Sequence, residues 1–159
     1  MPTTDPAPPT PPGAHTHYAG FWLRVAASVV DTALVVLVTA PLLLAVYGKS
    51  YFTSTDTGAV KGITDFLIAW VLPAVAVIVF WHTRQATPGK QLLGLRVVDA
   101  RTGARLSLGQ AIGRYLGYFV SIVPLCLGLL WVAFDARKQG WHDKLAGTVV
   151  LRDSVKRAP

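Results

Sequence analysis

Three charged side chains lie inside or directly after long apolar stretches of this 159-residue chain: Arg24, Asp31 and Asp135. On a helix with about 3.6 residues per turn, Arg24 and Asp31 project from nearly the same face, roughly 10 Å apart along the axis. Ionisable groups at membrane depth are costly, and they persist where they face protein or water and find partners. The three side chains therefore predict a charge network that either fixes the structure or holds an ion or a proton.

The composition indicates a membrane protein. Apolar residues make up 52% of the chain and charged residues 14%, whereas soluble domains average about 25% charged residues. The mean hydropathy is +0.45 and the formal net charge is +7. The basic residues bracket apolar runs, as in cytoplasmic loops that face anionic lipid. Nucleic-acid binding is not predicted, because these residues form no separate solvated face.

Two stretches are long enough to cross a bilayer, which needs about 20 mostly apolar residues. The first covers residues 18–47 and the second residues 63–82. A third apolar stretch, residues 107–135, begins with a capping-box pattern formed by Ser107 and Gln110. We therefore expect helices in all three stretches.

The basic segments on both sides of residues 107–135 favour a cytoplasmic location for both flanks. One crossing would place the flanks on opposite sides, and two full crossings would need about 40 residues. We therefore predict a helical hairpin that enters from the cytoplasm, turns near Pro124 and Gly128 and returns, with a single third span as the alternative. The hairpin would bring Asp135 to the depth of Arg24.

Short β-patterns at residues 93–99, 104–106 and 147–152 predict a small sheet beside the membrane. The fold class is thus an all-α membrane protein with two full transmembrane helices, a Pro/Gly-interrupted helical hairpin or third span, and a small cytoplasmic β-hairpin or three-stranded sheet. We expect a disordered Pro-rich cytoplasmic tail over residues 1–17, one membrane domain over 18–152 and a basic tail over 153–159.

Four further side chains are secondary candidates for the network: Ser28, Arg114, His142 and Asp143. His142 and Asp143 are more simply a satisfied helix cap than a catalytic dyad, and a serine in a membrane helix usually forms a local hydrogen bond. No enzyme activity, cofactor or metal site is predicted. The single cysteine, Cys126, is interpreted as a small buried hydrophobe.

Several short segments of the sequence resemble the RDD family of small bacterial membrane proteins, which is named for one arginine and two aspartates. The matching phrases include Gly20-Phe21-Trp22-Leu23-Arg24, Thr87-Pro88-Gly89-Lys90, Leu106-Ser107-Leu108-Gly109 and Gly140-Trp141-His142-Asp143-Lys144. Arg24, Asp31 and Asp135 occupy the naming positions, and the resemblance covers roughly residues 18–152. It implies an inner-membrane protein. Monovalent-cation/proton antiport is suggested for some members, and no agreed catalytic residues are implied.

Two functions are compatible with these patterns. In the first, the charge network pins the helices of a membrane scaffold or accessory protein. In the alternative, the protein is a monovalent cation/proton antiporter or transporter component, in which Asp31 and Asp135 exchange H⁺ for Na⁺, K⁺ or Li⁺ and Arg24 favours their ionised forms. Alternating access in so short a chain would require a homo-oligomer.

Both functions place the protein in the bacterial inner (plasma) membrane as a multi-pass protein with cytoplasmic N- and C-termini. The expected partners are the lipid bilayer and its anionic headgroups, with no nucleic acid.

Overall fold

A computed structural model describes residues 17–53 and 60–152. The predicted tails therefore fall outside the described residues, except for His17. Helices and two strands follow one another in the order α1 (Phe21–Tyr47), α2 (Ser50–Thr53), α3 (Ile63–Arg84), α4 (Pro88–Leu92), β1 (Leu95–Asp99), α5 (Leu108–Ile122), α6 (Leu127–Phe134), α7 (Trp141–Leu145) and β2 (Thr148–Arg152).

Helices α1 and α3 have the length and composition of membrane spans. They contain 27 and 22 residues, which at 1.5 Å per residue is enough to cross a hydrocarbon core of about 30 Å. Little of either helix is buried, as expected when most neighbours are lipid. A single π-helical turn, Leu67–Val71, precedes Pro73, which lacks the N–H that a regular helical ladder would use. The two predicted spans are confirmed as candidate membrane helices.

The third apolar stretch is broken. Helices α5 and α6 lie at 100° to each other, and the break between them contains Pro124, as predicted. Leu125 and Cys126 have φ angles of 53° and 62°, a left-handed conformation that side chains with a Cβ rarely adopt. The two arms are therefore neither collinear nor folded back antiparallel.

Both ends of this broken stretch lie beside the same strand end. Gln110 lies near the start of α5, and its side-chain amide donates to the Asp99 carboxylate at 2.5 Å. Arg137, just after α6, donates from Nη2 to the carbonyl of Ala100 at 2.7 Å. The stretch thus starts and finishes at one end of the molecule.

The sheet has two strands in the described part of the chain, and the prediction of a third strand at residues 104–106 is wrong. Strands β1 and β2 pair antiparallel, with Val97 opposite Val150. The Asp99 carboxylate accepts the backbone N–H groups of Arg101 and Thr102, both at 2.8 Å. This turn closes the end of β1, and after it the chain leads into α5 instead of extending along the sheet.

The outer edge of β2 is covered by the segment before α1. Tyr18 forms an isolated antiparallel bridge with Leu151, and the Ala19 N–H donates to the carbonyl of Val150 at 2.9 Å. The N-terminal segment therefore covers the outer edge of β2, and it connects the start of α1 to the sheet.

Residues 85–107 and 136–152, here called the cap, pack on one end of the helices. The core that joins the cap to the helices is formed by small and apolar side chains from α1, α3, α5 and both strands: Ala19, Ala27, Trp81, Leu95, Val97, Leu106, Ala111 and Val150. The buried polar and charged side chains include Arg24, Lys90, Arg114, His142 and Asp143.

Candidate functional site

The structure does not join Arg24, Asp31 and Asp135 into one cluster. Each forms an ion pair with a different residue: Arg24 with Asp143, Asp31 with Lys90, and Asp135 with Lys144. The three positions have separate partners because the chain continues past Asp135 into α7, and α7 supplies the partner of Arg24. Whether these residues hold an ion or a proton stays a prediction.

Arg24 is anchored at three points. Its Nη1 donates to Asp143 Oδ2 at 2.5 Å, its Nε to the Ala19 carbonyl at 3.2 Å and its Nη2 to the Lys138 carbonyl at 2.6 Å. These partners lie before α1, in α7 and in the loop between α6 and α7. One guanidinium group therefore connects the first span with the second segment of the cap, residues 136–152.

Asp143 lies fully buried between two arginines. Arg114 of α5 forms the second ion pair and also donates to the Thr148 hydroxyl at 2.6 Å. The N–H of Gly140, at the start of α7, donates to Asp143 Oδ2 at 3.0 Å. Burial alone would raise the pKa of Asp143, but the charges of Arg114 and Arg24 hold it well below its usual range. Two guanidinium groups thus share one carboxylate, which leaves one positive charge in excess.

His142 packs against this centre as a neutral ring. It stacks on Tyr118 with ring centroids 4.0 Å apart. Burial lowers the pKa of His142 to about 3; the negative charge of Asp143 opposes this shift and the positive charge of Arg114 reinforces it. His142 therefore carries no charge at neutral pH and does not cancel the excess.

Ser121, His142 and Asp143 superficially resemble a nucleophile, base and acid. The Ser121 hydroxyl lies 3.3 Å from His142 Nδ1, and His142 Nε2 lies 3.5 Å from Asp143 Oδ1. However, the hydroxyl donates to the Gly117 carbonyl at 2.9 Å and accepts the His142 N–H at 3.1 Å. Ser121 is completely buried. This geometry favours packing of α7 on α5 over nucleophilic chemistry.

Asp31 forms a second centre at the start of α4. It accepts the Thr87 hydroxyl at 2.5 Å and the Gly89 N–H at 2.7 Å, and Lys90 Nζ lies 3.8 Å from Oδ2. A Cβ at Gly89 would lie 2.3 Å from the Ala27 carbonyl oxygen and 2.9 Å from the Asp31 carboxylate. The turn can therefore approach the first span this closely only with glycine at this position.

Trp81 of α3 lies between the two centres. Lys90 Nζ is 5.9 Å and Arg114 Cζ is 5.1 Å from the indole ring centroid, within reach of cation–π attraction. Among the described residues, Trp81 Nε1 and Arg114 Nε and Nη2 have no hydrogen-bond partner. A continuous set of charged and aromatic side chains thus extends from Asp31 to Asp143.

Asp135, at the end of α6, closes a local loop. Its Oδ1 lies 2.5 Å from Lys144 Nζ, and its Oδ2 accepts the N–H groups of Arg137 and Gln139, both at 3.1 Å. Burial opposes ionisation, but the Lys144 hydrogen bond and the backbone donors lower the pKa of Asp135 overall. The contacts of Asp135 therefore position the segment between α6 and α7.

Sequence reasoning underrated some of these residues and missed others. Arg114 and Asp143, treated as secondary, are central to the first centre, and Ser28 takes part in neither. Lys90 and Trp81 were not selected. The signal for Lys90 was its place in the Thr-Pro-Gly-Lys turn directly after the second span, where a cation could return to Asp31.

Two cavities adjoin the charged centres. A cavity of about 340 Å³ lies between α1 and α3, with Asp31 and Thr87 among its lining residues. A larger one, about 640 Å³, lies between α1 and the α5–α6 break, and Arg24 and Cys126 line it. Cys126 is exposed, so its interpretation as a buried hydrophobe is wrong.

Sequence comparison places these features in a known family. The RDD family model matches residues 18–147. The chain is 32% identical over 149 residues to "Uncharacterized protein YxaI" of Bacillus subtilis, and this match covers 84% of this chain and 96% of that protein. It is 29% identical over 157 residues to "Uncharacterized membrane protein YteJ" of the same bacterium, and this match covers 89% of this chain and 86% of that protein.

A more distant similarity is to the "Proline-rich antigen" of Mycobacterium leprae. The two are 28% identical over 107 residues, and the match covers 65% of this chain but only 42% of the antigen. No solved structure matches the chain.

Proposed function

This chain belongs to the RDD family, and from that premise we propose that it is a scaffold or accessory protein of the bacterial inner membrane. In this role the two spans hold the molecule in the bilayer, and the charged centres fix the cap against them. The cap then presents a surface of constant shape on the cytoplasmic side.

The observation that carries the proposal is that every charge at the three naming positions has fixed protein partners. Arg24 makes three contacts, Asp31 accepts two hydrogen bonds at 2.5 and 2.7 Å and Asp135 is held by Lys144 and two backbone N–H groups. An ion carrier must release such partners in each cycle. Breaking a buried pair such as Arg24–Asp143 by removing one partner costs about 3–5 kcal/mol, so the contacts of Arg24 above all favour a structural role.

The proposed orientation has the cap and both termini in the cytoplasm. The cap carries many of the basic residues: Lys90, Arg96, Arg101, Arg105, Arg137, Lys138, Lys144 and Arg152. Basic residues near span ends favour the cytoplasmic side and anionic headgroups. Because residues 108–134 start and finish beside Asp99 and Ala100, we propose that they form a re-entrant element rather than a third crossing.

A flux assay on proteoliposomes tests the proposal. The purified protein is reconstituted with a pH-sensitive dye inside, and Na⁺, K⁺ or Li⁺ is added outside under a pH gradient. A scaffold gives the same proton flux as empty liposomes for all three cations. Saturable, cation-dependent flux that disappears in Asp31→Asn while the thermal midpoint is retained would overturn the scaffold role.

The alternative, cation/proton antiport, is supported by one specific contact. The Asp31 side chain is 18% exposed and lines the 340 Å³ cavity between the spans, so a cation in that cavity could reach it. Lys90, 3.8 Å away, would act as the internal cation that a transported ion replaces. This function also requires a homo-oligomer, which the molecular mass of the detergent-solubilised protein would reveal.

A further inference from the structure

We propose that the 640 Å³ cavity between α1 and the α5–α6 break binds an anionic phospholipid, with its phosphate at Arg24 and its acyl chains along α1. This inference does not depend on the scaffold role, because Arg24 and the cavity beside it would be open to a phospholipid in a scaffold and in a transporter alike. Charge, hydrogen-bonding capacity and shape each support it.

The charges around Asp143 do not balance. Arg24 and Arg114 share this one carboxylate, Asp31 is already paired with Lys90, and Asp135 with Lys144. Among residues 17–53 and 60–152, one positive charge therefore has no countercharge in a buried setting, which is unfavourable. Arg24 also lines the cavity, so an anion that enters there reaches the excess charge directly.

Arg24 has donors left for such an anion. A guanidinium group carries five N–H donors, and three of them serve Asp143, Ala19 and Lys138. The remaining N–H donors of Arg24 can serve an anion, because Arg24 itself lines the cavity. The planar guanidinium group is well suited to phosphate oxygens.

Two hydroxyl groups continue the polar wall below Arg24. Ser28 and Thr32 follow it at four-residue steps on α1, each about 6 Å deeper, and both line the cavity. Within residues 17–53 and 60–152, neither hydroxyl has a hydrogen-bond partner. In contrast, Thr39 and Thr83 on the two spans donate to the carbonyl four residues earlier, at 2.8 and 2.7 Å. Free hydroxyl groups at ester depth match the glycerol-ester region of a phospholipid.

The rest of the cavity is apolar and suits acyl chains. Its walls include Phe21, Val25, Val29, Leu129 and Leu130, from α1 and α6. Its volume of about 640 Å³ lies within the range of roughly 300–1,000 Å³ that is typical of pockets for small molecules. A lipid is favoured over a second protein helix because an apolar helix would leave the Arg24 charge and both hydroxyls unpaired.

Binding of dioctanoyl phosphatidylglycerol to the full-length protein in non-ionic detergent tests the proposal, with affinities measured by native mass spectrometry. Val29→Trp fills the cavity. Val36→Trp is the matched control, because both valines are exposed on α1, at 64% and 55%, and Val36 does not line the cavity. We expect wild type and Val36→Trp to bind with equal Kd and Val29→Trp to bind at least tenfold more weakly. If Val29→Trp fails to fold, Ser28→Leu replaces it.

Two further probes separate the parts of the ligand. Dioctanoylglycerol, which lacks the phosphate, and sodium phosphate, which lacks the chains, should each bind at least tenfold more weakly than the phospholipid. Equal binding of phospholipid to Val29→Trp, or equal affinity for dioctanoylglycerol, would overturn the proposal. Full competition by phosphate would instead indicate a free-anion site, and a lipid-free dimer disrupted by Val29→Trp would indicate a second copy in the groove.

Discussion

The two charged centres hold their carboxylates in different ways. Asp143 has no exposed surface and neutralises part of the charge of two arginines, whereas Asp31 is 18% exposed and relies mainly on a hydroxyl and a backbone N–H. The first centre joins α1, α5 and α7. The second only seats the start of α4 on α1. The contrast suggests that the architecture depends on Asp143 and that Asp31 tolerates change.

The most damaging substitution should be Asp143→Asn. It leaves Arg24 and Arg114 buried without a countercharge, and loss of one partner of a buried pair costs about 3–5 kcal/mol. We expect a monodisperse fraction in size-exclusion chromatography after extraction that is clearly smaller than that of wild type, while the folded fraction still unfolds cooperatively. Asp135→Asn is the matched control, since its partner Lys144 is 44% exposed. If both variants lost the same share of their monodisperse fraction, the fold would not depend on Asp143 more than on Asp135.

Glycine substitutions should come next. A Cβ at Gly89 would meet the Ala27 carbonyl at 2.3 Å, and one at Gly117 would meet His142 Cα at 2.9 Å. Overpacking of this kind costs about 1–3 kcal/mol, so Gly89→Ala should lower the thermal midpoint more than Gly117→Ala. Gly113, one turn before Gly117, has no atom within 4 Å of such a Cβ. Gly113→Ala should leave the midpoint unchanged or raise it.

The first centre should also respond to acid. The pKa of His142 is lowered to about 3 in the folded protein by burial, whereas an unfolded histidine titrates near 6.5. As the pH falls from 6.5 to 3, His142 binds a proton in the unfolded state but stays neutral in the folded state. Stability is therefore lost in this window, by at most about 1.4 kcal/mol per pH unit. Denaturant unfolding at pH 7 and pH 5 measures it.

His142→Gln is the control for this effect. It removes the titrating ring, so the difference in unfolding free energy between pH 7 and pH 5 should shrink. An unchanged pH dependence would show that another group is responsible.

The smallest effect should come from Asp31→Asn. Asparagine still accepts the Gly89 N–H, so the change replaces charge-assisted hydrogen bonds by neutral ones, a difference of about 1 kcal/mol. The thermal midpoint of the purified protein should fall by less than half the drop for Gly89→Ala. A loss as large as that of Asp143→Asn would mean that the two centres are equivalent.

The sequence was most informative where the pattern was local. The two spans, the Ser107–Gln110 capping box and the paired strands are confirmed, because length, capping chemistry and β-branched runs act within a few residues. The place of the break near Pro124 follows for the same reason. The 100° angle at that break does not, because it depends on how α6 packs against α1 and α7.

The partner of Arg24 could not be predicted by depth alone. Asp135 ends the apolar stretch, so it was expected at the same depth as Arg24. The loop after Asp135 leads into α7, however, and Asp143 of α7 forms the ion pair with Arg24. Arg114 held a usable signal. An arginine in an otherwise apolar helix needs a carboxylate partner. Asp135 pairs with Lys144, so Asp143 is the carboxylate that remains for Arg114.

A double-mutant cycle tests the central claim that Asp143 is the partner of Arg24. Unfolding free energies are measured for Arg24→Gln, Asp143→Asn, Asp135→Asn and the two double variants that contain Arg24→Gln. The account predicts a coupling energy of about 1–3 kcal/mol between Arg24 and Asp143, and a value within about 0.5 kcal/mol of zero between Arg24 and Asp135. A larger coupling to Asp135 than to Asp143 would contradict it.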